Sequence, residues 1–110
     1  MSAQTPVIVH PQGRMDAARA PALEQELRQQ LAHGHHRLIV DLSKTTYISS
    51  NGLRVLLAAH KTAQQDGGSL KLCCLSPRLL EIFEMAGFDQ IFEIYEDRNA
   101  AENAFAKVGG

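Results

Sequence analysis

Apolar residues fall into short runs of strand length that alternate with longer stretches repeating every three or four positions. Val7, Ile8 and Val9, with His10 and then the turn formers Pro11 and Gly13, predict a short first strand over 7–10. Leu23, Leu27 and Leu31 recur among Glu24, Glu26, Arg28 and Gln29, which puts one apolar stripe on a helix over 19–33. Pro21 lies in its first turn, where a missing N–H costs little, and Gly34 closes it. The run Arg37-Leu38-Ile39-Val40-Asp41-Leu42 lacks alternation, the pattern of a central strand covered on both faces. A polar loop over 43–50 follows.

A second helix over 51–66 buries Leu53, Leu56, Leu57, Ala59 and Ala63, turns Arg54, Lys61 and Gln65 to water, and stops at Gly67-Gly68. The segment 69–75 predicts another strand. Ser76 as cap and Pro77 as first residue open a third helix that ends at Ala86 before Gly87. A last strand over 91–95 precedes a last helix over 99–108, whose apolar face is Ala101, Ala104, Phe105 and Val108. Strand and helix alternate at crossover spacing, so the fold class is α/β: one domain over 1–110, with a small, largely parallel sheet of four or five strands and about four helices, most of them on one side.

Composition narrows the partners. Hydrophobic residues make up 45% and charged residues 21% of the 110, enough for one core, and no apolar run reaches membrane-spanning length. Eleven basic and twelve acidic residues are scattered, which argues against a nucleic-acid partner. The start, MSAQTPVIVHPQGRMD, has no basic segment followed by an apolar one, so a cytoplasmic protein without a signal peptide is expected. Cys73 and Cys74 adjoin in a predicted strand, where successive side chains oppose; they read as small hydrophobes, and a disulfide between them is not expected.

Chemistry concentrates in one segment. The nucleophile elbow, the phosphate loops and HExxH are absent, so no catalytic residue is assigned and the chain reads as a binding protein rather than an enzyme. His33, His35 and His36 straddle a helix end without a metal-ligand set, and neither a metal nor another cofactor is expected. The stretch 41–57, DLSKTTYISSNGLRVLL, is a strand, a polar loop and a helix start, with Ser49 or Ser50 as the cap. Gly52, just inside this helix, should tolerate alanine thermodynamically unless its backbone needs φ > 0; if it permits close approach of a partner, alanine should cost binding while the fold stays intact.

This stretch resembles the phosphorylation-site motif of the STAS domain of bacterial anti-sigma factor antagonists, a strand ending in D-L-S followed by Y-[IM]-D-S-x-G-L. Gly13-Arg14-Met15-Asp16 with Ala20-Pro21-Ala22-Leu23 resembles the family's G-x-[LI]-D segment and its A-P-x-L helix. Leu75-Ser76-Pro77, Ile82-Phe83 and Ala86-Gly87-Phe88 match its third helix and turn. Ser50 then falls on the phosphoaccepting serine, and Ser49 stands where an acidic residue is usual.

The resemblance implies that the unphosphorylated chain binds an anti-sigma factor that is also a GHKL-type serine kinase, and so frees a sigma factor. Phosphorylation of Ser50 would end binding and a PP2C-type phosphatase would restore it. Asp16, Ser49, Asn51, Gly52, Arg54 and Lys61 are the expected partner-binding residues, Asp16 lying near Ser50 and otherwise capping the first helix. The alternatives are a constitutive STAS subunit of a lipid-transport or stressosome-like assembly, and an enzyme with nucleotide-linked activity.

Overall fold

The computed structural model describes residues 5–108; residues 1–4 and 109–110, and the side chains of Lys107 and Val108, lie outside what it describes, so the expected place of Val108 on the apolar face of the last helix does too. A four-stranded, all-parallel sheet has the order β1 (Val7–Val9), β3 (Arg37–Asp41), β5 (Ser69–Cys73), β6 (Ile94–Tyr95). A second, two-stranded parallel sheet pairs β2 (Gly13–Met15) with β4 (Thr45–Ile48). Each strand of this small sheet follows its counterpart in the main sheet along the chain, β1 then β2 and β3 then β4, so the pair continues the edge of the main sheet past a break. Thr45 Oγ1 stitches the break by donating to the Pro11 carbonyl at 2.9 Å.

Four helices complete the order: α1 (Ala20–Ala32), α2 (Ser50–Gln65), α3 (Pro77–Met85) and α4 (Arg98–Val108). Period-two alternation on the strands divides the core. Leu38, Val40, Leu70 and Leu72 pack with Leu23 and Leu27 of α1, Leu53 and Leu56 of α2, and Leu79 and Phe83 of α3. The opposite face holds a smaller cluster of Ile39 and Cys73 with Ala101 and Phe105 of α4. Three helices thus cover one face and one the other, the α/β arrangement expected. Among the described residues no helix is long and apolar enough to cross a membrane.

Some boundaries differ from the sequence pattern for identifiable reasons. The predicted loop over 43–50 contains β4, whose Thr45, Thr46, Tyr47 and Ile48 form a strand because β2 lies alongside to pair with. β5 stops at Cys73 because Cys74 turns to φ +69. β6 is only Ile94–Tyr95, since a 3₁₀ turn over Phe88–Gln90 occupies the preceding segment. In α2, His60 is buried and Leu57 only half-buried; the stripe runs through 53, 56, 59, 60 and 63. Gly34, Gly67 and Gly87 stop their helices with positive φ, as their positions predict.

Candidate functional site

Register brings the candidate residues together. β2 and β4 run parallel with Met15 opposite Ile48, so they end side by side. The Ser49 N–H donates to the Met15 carbonyl at 2.9 Å, which fixes Asp16 at the end of β2 beside Ser49 and Ser50 at the end of β4. Ser49, with φ -90 and ψ 173, is the N-cap of α2: its Oγ accepts the Gly52 N–H at 3.3 Å, and its carbonyl accepts the Leu53 N–H. Of the two serines, then, Ser49 caps, and Ser50 is the first helical residue. Ser50 is exposed, and its hydroxyl makes no hydrogen bond among the described residues.

Asp16 is not the N-cap of α1. That position is Arg19, without a side-chain cap bond. Asp16 instead braces the approach, its Oδ1 accepting the Arg19 N–H at 3.2 Å and its carbonyl those of Arg19 and Ala20.

Gly52 is buried and helical, and here the structure corrects the expectation that alanine would be tolerated. A Cβ at this position would stand 2.7 Å from Ile48 Cγ1 and 3.0 Å from Met15 Cγ. Both neighbours are buried at the ends of β4 and β2, so neither side chain swings away cheaply. Glycine lets the first turn of α2 sit directly on the end of the small sheet.

An open cleft of about 510 Å³ runs from this junction along the exposed side of α2 to α1. It gathers Asn51, Arg54 and Lys61, three of the expected partner-binding residues, against Ala17, Pro21 and Leu57. A second cleft, about 430 Å³, continues between the same helices over Leu27, Leu31, Val55 and Ala58. The surface that begins at Asn51, next to Ser50, is therefore a ledge with an apolar floor, the basic Arg54 and Lys61 and the acidic Glu24.

Several buried polar groups have no counterpart in the sequence reading. Asp41, at the end of β3, is ion-paired with Arg98 of α4 and accepts the Ser43 N–H at 2.8 Å. Burial opposes its charge, but that N–H and the guanidinium outweigh it and hold the carboxyl down at about 2. Lys71, in the middle of β5, reaches Glu93 at 2.6 Å and stands 4.6 Å above the Phe105 ring. His60 packs on Phe92, and its Nδ1 accepts the Leu70 N–H at 3.1 Å; burial, with Lys71 nearby, holds its pKa below the usual histidine value. A polar residue inside an apolar run, as Asp41 and Lys71 are, is the signal that a partner must exist, but it does not say where.

His33, His35 and His36 do not converge on one point: His33 Nδ1 donates to the Gln29 carbonyl at 2.7 Å, His36 stands 3.5 Å from Asp66, and His35 is exposed. Among the described residues one group, Asp41, Cys73 and Cys74, has its ligand atoms within 4.8 Å of one another. The set suits a cation poorly. Arg98 already pairs with the carboxylate, and burial keeps both thiols protonated.

Comparison with known proteins adds three observations. The STAS domain model matches residues 2–101. An anti-sigma factor antagonist of Bordetella bronchiseptica, BtrV, is 45% identical over 94 residues, covering 86% of this chain and 81% of its own. The anti-sigma-B factor antagonist of Bacillus subtilis is 37% identical over 82 residues, 74% of each chain. In fold, the crystal structure of an anti-sigma factor antagonist from Thermotoga maritima superposes with a TM-score of 0.88 at 20% identity, over 94% of this chain and 90% of that one.

Proposed function

The chain belongs to the STAS domain family, among the anti-sigma factor antagonists, and we propose that it is a binding switch controlled by phosphorylation of Ser50. The unphosphorylated form binds an anti-sigma factor that is also a GHKL-type serine kinase, and binding releases a sigma factor. The kinase phosphorylates Ser50, and a PP2C-type phosphatase reverses the step.

One observation supports the reading: the helix cap falls on Ser49 and leaves the neighbouring Ser50 exposed. Ser49 satisfies the helix end, so the exposed Ser50 hydroxyl is available to a kinase without loss of the cap. A phosphate there adds about -1.5 to -2 charge at the positive end of α2. It also sits one helical turn from Arg54, at the i,i+4 spacing that pairs opposite charges. Phosphorylation thus places negative charge on the ledge and draws Arg54 away from a partner.

The magnitudes suffice. Two unit charges 4 Å apart interact by about 1 kcal/mol in water and ~4 kcal/mol near a protein surface, while a tenfold change in affinity needs about 1.4 kcal/mol. Arg54, Lys61 and Asn51 line the contact surface with Asp16 at its edge, while Gly52, buried against Ile48 and Met15, seats the start of the helix that presents them.

A second reading, a constitutive STAS subunit of a larger assembly, is favoured by Ser49 standing in place of the usual acidic residue. Capture of partners on the purified chain from the cytoplasm of its source organism, with phosphosite mapping of Ser49, Ser50, Thr45 and Thr46, separates the two. The switch requires an anti-sigma kinase among the partners and phosphate on Ser50. A stable assembly with no modified residue on this loop would leave the constitutive reading standing.

A further inference from the structure

We propose that Cys73 and Cys74 form a redox-active vicinal dithiol that closes to a reversible disulfide within the chain. In a regular strand adjacent side chains point to opposite faces, which would hold the two sulfurs apart. The backbone here departs from that rule. Cys74 has φ +69, the single non-glycine residue in the left-handed region among the described residues. Such a conformation is unfavourable for an L residue and persists where its surroundings enforce it. Its effect is to turn the Cys74 side chain back, so that its thiol donates to Cys73 Sγ at 2.9 Å.

The surroundings give the two thiols different roles. Cys73 is fully buried against Ile39, Ala101 and Phe105, whereas Cys74 is half-buried and open to a solution oxidant. Burial above all, with Asp41 within 4.8 Å of both sulfurs, disfavours their thiolates, while Arg98 balances part of the carboxylate charge. Both are thiols at rest, and the difference in exposure sets the roles: the small thiolate fraction of Cys74 attacks, and Cys73 resolves.

With a glutathione-type disulfide as oxidant, the Cys74 thiol gives its proton to solvent, and the thiolate attacks one of the oxidant's sulfurs and releases one glutathione thiolate. The Cys73 thiol gives its proton to that leaving group and attacks the Cys74 sulfur, releasing the second glutathione as a thiolate that takes from solvent the proton Cys74 gave up. Two protein thiols are oxidised to one disulfide, and one small disulfide is reduced to two thiols. Because neighbouring Cα atoms are about 3.8 Å apart, less than the separation usual across a disulfide, the ring is strained and readily reduced. Strained, accessible disulfides are the labile and regulatory ones.

The test uses the full chain, folded, exposed to oxidised glutathione, then quenched, unfolded and alkylated with N-ethylmaleimide before intact-mass measurement. As the chain has two cysteines, the mass alone assigns the product. The oxidised protein should have lost two hydrogens, carry no maleimide and remain a single chain, and dithiothreitol should restore uptake of two maleimides. Cys74→Ser should take up one maleimide whether or not it has met the oxidant. Wild-type protein that still takes up two maleimides, keeps a glutathione adduct, or links chain to chain would overturn the proposal.

Discussion

Removing the Ser49 hydroxyl leaves the Gly52 N–H without its acceptor, so Ser49→Ala should cost about 1 kcal/mol. Ser50→Ala, an exposed change outside that bond, should stay within about 0.5 kcal/mol of wild type. Urea denaturation of the two variants checks the assignment, and a larger loss in Ser50→Ala than in Ser49→Ala would return the cap to Ser50. Sequence alone leaves these serines interchangeable, because either can precede the helix; the φ and ψ of Ser49 and the bond from its N–H to Met15 decide between them. Gly52→Ala sets a helix-propensity gain of about 1 kcal/mol against overpacking at Ile48 and Met15 that typically costs about 1–3 kcal/mol. The clash should prevail, and the variant should melt below wild type. A rise in melting temperature would mean that the small sheet yields.

Polar pairs that tie elements together obey the same chemistry over a longer reach. The Asp41 carboxyl is held at about 2, below its ordinary 3.8, so the Asp41–Arg98 tie between β3 and α4 stabilises the fold above pH 3.8 and is lost as pH falls toward 2. Asp41→Asn should remove this part of the acid sensitivity, seen as a shallower fall of melting temperature across that window than in wild type. An unchanged slope would assign the acid transition to other carboxylates. Lys71 is buried in β5, and its partner Glu93 is exposed. Glu93→Ala strands a buried ammonium, whereas Lys71→Met removes the need for a partner, so the first variant should melt lower. The reverse order would mean that Lys71 earns its place through Phe105 rather than Glu93.

Across the whole molecule, what the sequence makes legible follows how local each signal is. β1, β3 and β5 are apolar runs and the four helices are periodic, so their existence and most of their bounds can be read directly. β2 and β4 are short and half polar, and they become strands only by pairing with each other across 32 residues of chain. Asp41 and Arg98, 57 positions apart, leave no trace of their pairing in the sequence. The candidate site is legible by motif, because Ser50, Gly52 and Asp16 lie in short contiguous patterns. Its ledge is not, since Asn51, Arg54 and Lys61 acquire their common cleft only when α1 packs beside α2.

The central claim is that charge on Ser50 decides binding while the fold stays unchanged. The most direct measurement is a calorimetric titration of the captured anti-sigma kinase with the unmodified chain, with the chain phosphorylated at Ser50, and with Ser50→Asp, alongside the melting temperature of each. Negative charge at the start of α2 is favourable to the helix, so both charged forms should melt at or slightly above wild type. Their affinity should nevertheless fall at least tenfold, the phosphorylated form furthest. Equal affinity of all three forms, with the fold intact, would contradict the switch.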